Sequence, residues 1–480
     1  MERQINRIAH NIWEIPQTGK MRVPGRIYAS EELMQVLRND ASLDQIANVA
    51  QLPGITGFSF GMPDIHWGYG FPIGGVAATD IETGVISPGG VGYDINCGVR
   101  LIRTNLYADE VYPKIKSLVA AVFSAVPSGV GSHNAIKKLN LSDIRKILTH
   151  GAGWSVENGF GMENDLNFIE DRGCLESANP DVISPRAIER GLSQMGTLGS
   201  GNHFIEISKI TDIYDDIAAR TMNLDIGKIV IQIHTGSRGL GYQVCDDFIK
   251  VTLQASRKYD IEIPDRQLSC APLTSPEGKD YLAAMRASAN FAFSNRQVIH
   301  SLIEHAFIQS FNISPLELGF RCVWDIAHNI AKIEEHDYKG IKKKYCVHRK
   351  GATRAFGPGY SELPSNYKTI GQPVLIPGDM GTESYVCVGT EKAMVETFGS
   401  SCHGAGRLLS RSQAKKKGAG INLFKELEKS GVFVMSEEKS TIAEEMPFAY
   451  KNVTQVVNTL HEIGIIRKVA RLVPLGVIKG

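Results

Sequence analysis

The chain has 480 residues, of which 43% are hydrophobic and 21% charged, and its formal net charge of +1 is ordinary for a globular protein with a large core. Eight cysteines without CxxC spacing argue against a disulfide framework. The chain shows no signal-peptide segment and no run near the roughly 18 apolar residues of a membrane span, so we expect a cytoplasmic protein with no membrane partner. The net charge gives no sign of nucleic acid, although three basic clusters in the C-terminal third favour a polyanionic partner (342–344, 348–354 and 415–417).

The predicted elements mix strands and helices without a repeating βαβ period. Short apolar runs between glycine clusters indicate buried strands, and longer periodic segments indicate helices. Because candidate site segments recur from position 64 to the last residues, we expect an α/β fold with a single domain over residues 1–480. In chain order the elements are a helix at 111–126, a strand at 230–233, a helix at 280–311, strands at 321–326, 373–376 and 385–388, and helices at 423–429 and 452–466.

A metal centre is indicated by five side chains. Asp94 and Cys97 lie three residues apart between glycines, so a carboxylate and a thiolate can hold one ion while the sulfur offers a further lone pair to a second. His203 follows a glycine-rich stretch, and His234 and His328 each end an apolar run, where catalytic groups are commonly displayed. This mixed donor set suits zinc, manganese, cobalt or iron better than magnesium or calcium.

Three glycine-rich stretches that each lie beside a histidine indicate phosphate binding (199–203, 234–239 and 403–406). Glycine allows backbone N–H groups to converge on a phosphate. None of the stretches matches the Walker A or dinucleotide pattern, but their conjunction with histidine is more specific than any one of them. His403 begins the third stretch, which is typical of a phosphate cradle.

Other polar residues are left open. His66 could be a metal ligand, a residue that supports a ligand or a loop contact, so we assign it no metal, and His133 and His348 are candidate substrate contacts. Asp325 and Asp379 each end an apolar strand, where the simplest role is a turn cap. Six further histidines lie in helix-like, polar or charge-rich surroundings and are expected to be structural: His10, His150, His300, His305, His336 and His461.

Taken in order, the motifs of the whole chain resemble the RtcB family of GTP-dependent RNA ligases. These enzymes join RNA 3′-phosphate or 2′,3′-cyclic phosphate ends to 5′-hydroxyl ends. The segments that carry the resemblance are GGVGYDINCGVR (89–100), LGSGNHFIEI (198–207), IHTGSRGLG (233–241), DIAHN (325–329), HRKGATRAFGPG (348–359), PGDMGTESYV (377–386), SSCHGAGR (400–407) and the terminal Lys479-Gly480.

The resemblance implies a mixed-sheet α/β fold of the RtcB type around one deep cleft that binds metal and nucleotide. It implies two Mn²⁺ ions bridged by the Cys97 thiolate, the first held also by Asp94 and His203 and the second also by His234 and His328. His403 corresponds to the histidine that GTP guanylylates. The family often has Ser or Thr where this chain has Asp379. The residues expected to contact GTP are Asn202, His203, Phe204, Ile205, Glu206, His328, Asn329, Pro377, Gly378, Asp379, Met380, Ser384, His403, Gly404, Ala405, Gly406 and Lys479.

The function that follows from the resemblance is RNA ligation in tRNA splicing or RNA repair. Its partners would be GTP, RNA (tRNA halves or broken RNA ends) and an archease-like activator protein. Arg190 and Arg238 are candidate clamps on the RNA phosphates. Glu206 is the candidate reader of guanine, because one carboxylate can accept hydrogen bonds from both N1–H and the N2 amine, and Lys479 would support the base.

Two alternatives come from other classes of protein. A metal-dependent phosphohydrolase acting on RNA cyclic phosphate ends would use the same metals, but it would not need His403 in a glycine-rich loop or a nucleotide. A non-catalytic RNA-binding component of a processing complex would retain RNA binding after loss of metal. Formation of a labelled protein from α-labelled GTP distinguishes the ligase from both.

Overall fold

The computed structural model describes residues 4–437 and 439–480. The strands are β1 (Asn6–Ala9), β2 (Ile12–Ile15), β3 (Gly25–Tyr28), β4 (Ile55–His66), β5 (Ile73–Asp80), β6 (Val85–Ile86), β7 (Gly98–Tyr107), β8 (Phe204–Ile213), β9 (Lys228–Thr235), β10 (Ala271–Pro272), β11 (Arg321–Ala327), β12 (Asn329–Tyr338), β13 (Ile341–Lys350), β14 (Ala352–Arg354), β15 (Pro373–Ile376), β16 (Ser384–Gly389), β17 (Ser400–Cys402), β18 (Phe433–Ser436) and β19 (Ile466–Lys479).

Helices connect and cover these strands. They are α1 (Glu31–Leu37), α2 (Ser42–Val49), α3 (Ala108–Val111), α4 (Ile115–Ala125), α5 (Leu141–His150), α6 (Ala152–Glu157), α7 (Pro185–Gly191), α8 (Asp216–Met222), α9 (Arg238–Lys258), α10 (Pro276–Phe311), α11 (Pro315–Leu318), α12 (Glu391–Thr397), α13 (Arg411–Lys417), α14 (Leu423–Lys429), α15 (Lys439–Glu444) and α16 (Val453–Glu462).

Two large sheets form the framework. One follows the order β1-β2-β3-β4-β5-β13-β12, and the other follows β11-β7-β9-β8-β19-β16-β15 with β18 paired to β19. Neighbouring strands are antiparallel, apart from β3 with β4 and β18 with β19, which are parallel. This arrangement confirms the predicted mixed-sheet α/β class.

His328 joins the two sheets. It is the one residue between β11, at the edge of the second sheet, and β12, at the edge of the first. Its backbone N–H donates to the Cys97 carbonyl at 2.9 Å, and its own carbonyl accepts from the Ala352 N–H at 3.1 Å. Residues from both sheets therefore meet around this histidine.

The 36-residue helix α10 forms part of the core. The Ser275 side chain accepts from the Gly278 N–H at its start, and the helix ends at Asn312 in the left-handed region. Its buried residues include Asn295, Arg296 and Gln297, with no exposed surface. Polar side chains so deep in a core require partners. Asn295 and Arg296 bond to the backbone of the loops that carry the site, whereas Gln297 bonds to side chains elsewhere in the core.

The four predicted strands are confirmed as β9, β11, β15 and β16, and the helices at 280–311 and 423–429 as α10 and α14. Two helix predictions need correction. The segment 111–126 is divided by a 3₁₀ turn at Tyr112–Lys114 that contains Pro113, so the main helix begins at Ile115. The helix at 452–466 ends at Glu462, because Gly464 takes a φ of +78° and the chain then enters β19.

Within the described part of the chain, no helix combines the length and apolar character needed to cross a bilayer. All eight cysteines are free thiols, as their spacing predicted.

Candidate active site

A deep cleft of about 1000 Å³ is lined by strand ends and loops from both sheets. It brings together most of the residues singled out from the sequence. Those that line it are Asp94, Cys97, Asn202, His203, Phe204, His234, His328, Asn329, Pro377, Gly378, His403, Gly404, Ala405 and Gly406.

The register of four neighbouring strands places the predicted metal ligands at one end of the second sheet. Gly98, the residue after Cys97, pairs with Ala327, the residue before His328. His234 is opposite Val99 on one side and Phe204 on the other. Ligands that are far apart in the chain are therefore neighbours in space.

The donor atoms form two groups that share one sulfur. Asp94, Cys97 and His203 make one group, and Cys97, His234 and His328 make the other, with the donor atoms of each group within 4.8 Å of one another. The Cys97 Sγ lies 3.5 Å from the His203 Nε2 and 3.3 Å from the His234 Nε2. The His203 Nε2 lies 2.8 Å from the Asp94 Oδ2, and the Nε2 atoms of His234 and His328 are 3.3 Å apart.

These groups fit transition-metal ions. Metal–ligand bonds of about 2.0–2.3 Å to nitrogen and sulfur separate neighbouring ligand atoms by distances of this order. The donor set of one thiolate, three imidazoles and one carboxylate matches the preferences of such ions. The His203 Nδ1 is paired with the Leu198 carbonyl oxygen at 3.0 Å, which leaves the Nε2 free to face the cleft.

A buried arginine holds two of the ligand-bearing loops. The guanidinium of Arg296 donates to the carbonyl oxygens of Asn96 at 2.8 Å and Thr235 at 2.9 Å, next to Cys97 and His234 in the chain. Asp325 anchors this guanidinium by ion pairing. The interpretation of Asp325 as a turn cap is therefore wrong, because its carboxylate is fully buried between Arg296 and a second arginine, Arg100.

Burial and neighbouring charges shift the pKa values of the candidate metal ligands. Burial opposes ionisation of Asp94, but the neighbouring His203 outweighs it and lowers the carboxyl pKa to about 2. Burial lowers the pKa of His234 and of His328 well below 6.5, so both imidazoles are neutral at pH 7. Burial and the charge of Asp94 raise the pKa of the Cys97 thiol well above 9. A bound cation would reverse the balance at Cys97, since metal coordination favours the thiolate.

His403 lies directly beside the second donor group. Its ring centroid is 4.8 Å from that of His328. It follows the short strand β17, and its backbone N–H donates to the Asp64 Oδ2 at 3.0 Å while its Nδ1 lies 2.6 Å from the same oxygen. Because the carboxylate accepts the Nδ1–H, the Nε2 keeps its lone pair.

Sequence reasoning did not identify Asp64, which is fully buried at the end of β4. Its segment attracted attention only for His66. Gly406 allows the loop after His403 to approach the end of β4. It has a φ of +73°, and a Cβ at this position would overlap the Asp64 backbone. The signal in the sequence was an aspartate flanked by apolar residues, but its partner is 339 residues away.

A smaller cavity beside the cleft is lined by four more of the predicted nucleotide contacts, Glu206, Asp379, Met380 and Lys479. The centre of a water molecule can occupy only about 10 Å³ of it, so the cavity has room for about one water molecule. Lys479 belongs to β19, pairs with Phe204 in register and is 2% exposed, so the terminal residues are built into the sheet. The cavity is lined by Asn202, Phe204, Glu206, Gly378, Asp379, Met380, Glu445, Tyr450, Val477 and Lys479.

Glu206 lies at the floor of this cavity. Its Oε1 accepts hydrogen bonds from Ser208 at 2.6 Å and Gln232 at 3.1 Å. Burial, together with the charge of Asp379, raises the Glu206 pKa to about 7. The Lys479 Nζ donates to the Asn202 Oδ1 at 3.3 Å and lies 3.8 Å from the Glu445 Oε2.

Two of the predicted nucleotide contacts line neither cavity. The Ile205 side chain is buried in the core. Ser384 accepts from the Gly378 N–H at 3.2 Å and donates to Glu206 at 3.5 Å, so it supports cavity residues. The Asp379 Oδ1 accepts from the Gly381 N–H at 2.8 Å, which agrees with its interpretation as a turn cap.

The structure places the three histidines whose roles the sequence left open. His66 lines the cleft, and burial lowers its pKa to about 4, but it belongs to neither donor group. His348 is fully buried and stacks on Phe71, which is inconsistent with substrate contact, and His133 is not among the residues that line the cleft.

Basic side chains line part of the cleft. The suggested clamps Arg190 and Arg238 are both there, together with Arg411 and with Lys350 of the basic cluster 348–354. Burial lowers the pKa of Lys350 to about 7 and that of Arg238 to about 10. The Lys350 Nζ is held by the carbonyl oxygens of Tyr69 and Phe71, and Arg411 pairs with Glu444, so the cleft offers mainly the guanidinium groups of Arg190 and Arg238 to an anionic substrate.

Comparison with known proteins identifies similar chains. The family model described as tRNA-splicing ligase RtcB matches residues 45–480. The chain is 53% identical to the tRNA-splicing ligase RtcB of Archaeoglobus fulgidus, with 100% of both chains covered. It is 52% identical to that of Thermococcus kodakarensis, covering 99% of each, and 47% identical to the RNA-splicing ligase RtcB of Mycobacterium tuberculosis, covering 91% of this chain and 100% of the relative.

Proposed function

The chain belongs to the RtcB family of tRNA-splicing ligases, and on that premise we propose that it joins RNA 3′-phosphate or 2′,3′-cyclic phosphate ends to 5′-hydroxyl ends using GTP. One observation carries the proposal. His403, oriented by the buried Asp64, lies beside two donor groups that share Cys97. A nucleophilic imidazole next to such a centre suits transfer of a nucleotidyl group to a phosphate.

His403 would act as the first nucleophile. Its Nε2 attacks the α-phosphorus of GTP, a P–N bond forms, and the bond to the β-phosphate oxygen breaks to release pyrophosphate. An oxygen of the RNA 3′-phosphate then attacks the same phosphorus and breaks the P–N bond, which gives RNA-3′pp5′G. The RNA 5′-hydroxyl finally attacks the 3′-terminal phosphorus, GMP leaves, and a 3′,5′ phosphodiester remains. A cyclic end must first be opened by water.

The neighbours of His403 support this role. Asp64 holds the imidazole in the tautomer with a free Nε2 and stabilises the positive charge that develops on the ring as the P–N bond forms. We propose that the ions held by Asp94, Cys97, His203, His234 and His328 are two Mn²⁺, which would neutralise charge on the phosphates.

Guanine would enter the smaller cavity. Glu206 would accept hydrogen bonds from the N1–H and N2 amine of guanine, whereas adenine presents a lone pair at N1 and no amine. Lys479 would reach the acceptor edge of the base. Because the cavity has room for only about one water molecule, binding of guanine there requires the lining side chains to move apart.

The cleft cations would hold the RNA. Arg190, in the last turn of α7, and Arg238, the first residue of α9, both line the cleft that Asp94 lines. A guanidinium binds a phosphate through parallel hydrogen bonds. We propose that these two arginines position the RNA ends, with tRNA halves or broken RNA as the substrate and an archease-like protein as an activator.

Ligation of the four combinations of RNA ends, with GTP and Mn²⁺, tests the proposal. We expect sealing only between a 3′-phosphate and a 5′-hydroxyl, with α-labelled GTP giving an acid-labile labelled protein. Joining of 3′-hydroxyl to 5′-phosphate ends would contradict the assignment. Opening of a cyclic phosphate without label on the protein and without sealing would identify a phosphohydrolase.

A further inference from the structure

Three tyrosine rings form a cluster on the wall of the cleft. Tyr69, Tyr93 and Tyr242 all line it, together with the candidate metal ligands. The rings of Tyr93 and Tyr242 are stacked with centroids 4.8 Å apart and planes inclined by 26°, and the ring of Tyr69 meets that of Tyr93 edge-on at 5.4 Å. We call these three residues the tyrosine cluster.

The cluster is held firmly but remains accessible. Tyr242 is 48% exposed, although large aromatic side chains usually bury more of their surface. The loop that carries Tyr69 is fixed by the buried Lys350, whose Nζ donates to the carbonyl oxygens of Tyr69 and Phe71. Tyr93 directly precedes Asp94, so the cluster adjoins the donor group of Asp94, Cys97 and His203.

Two arginines flank the cluster, Arg238 on the helix that carries Tyr242 and Arg190 on α7. Arg238 and Tyr242 are four residues apart on α9 and therefore share a face. The guanidinium carbon of Arg190 lies 5.3 Å from the centroid of the Tyr242 ring. Exposed aromatic rings beside cations in a groove are the composition of sites that bind single-stranded nucleic acid.

We propose that the tyrosine cluster is a stacking site for an unpaired nucleobase near the RNA end that reacts in the cleft. This inference rests on the proposed function, since it takes the occupant of the cleft to be RNA. The base would extend the stack formed by Tyr93, Tyr242 and the Arg190 guanidinium. It is a different base from guanine of GTP, because none of the three tyrosines lines the smaller cavity.

The experiment measures binding of short single-stranded RNA to the full-length protein by fluorescence anisotropy. Each of the last three nucleotides at either end is replaced in turn by an abasic nucleotide. At one position we expect binding to weaken about tenfold, the order of a lost base–aromatic stack. Tyr242→Ala should weaken binding of the intact RNA by a similar factor and remove the effect of the abasic nucleotide, whereas Tyr242→Phe should behave as the wild type.

Two controls separate stacking from other effects. Tyr112→Ala removes a tyrosine that is 52% exposed and lies outside the cleft, and it should leave affinity unchanged. Tyr242→Ala should leave the salt dependence of binding unchanged, whereas Arg238→Gln should reduce it, because only phosphate contacts release counterions.

The inference is overturned if no abasic position weakens binding in the wild type, or if the abasic effect is the same in Tyr242→Ala. The wild-type measurement does not depend on whether a variant folds. Sealing is assayed separately, so the two proposals fail differently. A protein that seals RNA but shows no abasic effect refutes the stacking site, and one that shows the effect but never seals refutes the ligase.

Discussion

Replacing Asp64 by asparagine tests the proposed nucleophile most directly. The wild-type carboxylate is fully buried and lies 2.6 Å from the His403 Nδ1. With an effective dielectric constant of about 20, a full positive charge on the ring would gain about 6 kcal/mol from this contact. A ring that carries about half a charge in the transition state would gain about 3 kcal/mol, which corresponds to a rate factor of about 100.

The assay follows the transfer of label from α-labelled GTP to the protein in single turnover. We expect Asp64→Asn to slow guanylylation about 100-fold and His403→Ala to abolish it. Both variants should still seal RNA that is supplied as 3′pp5′G, because that step needs neither side chain as a nucleophile. Asp212→Asn, which changes a half-exposed carboxylate paired with Arg471, serves as the matched control and should react at the wild-type rate.

If Asp64→Asn slows guanylylation by less than about threefold, instead of the expected factor of about 100, the electrostatic role of Asp64 is refuted. Equal loss of guanylylation and of sealing from 3′pp5′G would instead indicate damage to the whole site. Thermal unfolding of the variant separates that outcome from a local effect.

Three further predictions concern metal and nucleotide. Cys97→Ala should lose both Mn²⁺ ions, since the sulfur belongs to both donor groups, and elemental analysis after dialysis that still finds two ions per chain would exclude the bridge. GTP affinity should fall as the pH drops through about 7, because Glu206 has a raised pKa of about 7 and its protonated form loses an acceptor for guanine; calorimetry should show a flatter profile for Glu206→Gln, and identical profiles would contradict the role. A chain truncated after Val477 should bind GTP more weakly, since it lacks Lys479 in the smaller cavity, and unchanged affinity for GTP would remove Lys479 from the site.

Local features of the chain were sufficient to predict much of the candidate site. The three-residue spacing of Asp94 and Cys97, and the positions of His234 and His328 at strand ends, are short-range properties of the sequence. The strands themselves were predictable because apolar runs between glycines bury both faces. Helix ends were less predictable, as the segment 452–466 shows, since one glycine in the left-handed region decided where the helix stopped.

The tertiary structure alone decided which distant residues meet. The sequence predicted candidate ligands, but the register of β11, β7, β9 and β8 brings them to one end of a sheet. Asp64 and the tyrosine cluster were not found from the sequence, because an ordinary aspartate or tyrosine has no local pattern that names its partner. The Asp64–His403 contact spans 339 residues, and such a contact depends on the packing of the two sheets rather than on the residues that flank it.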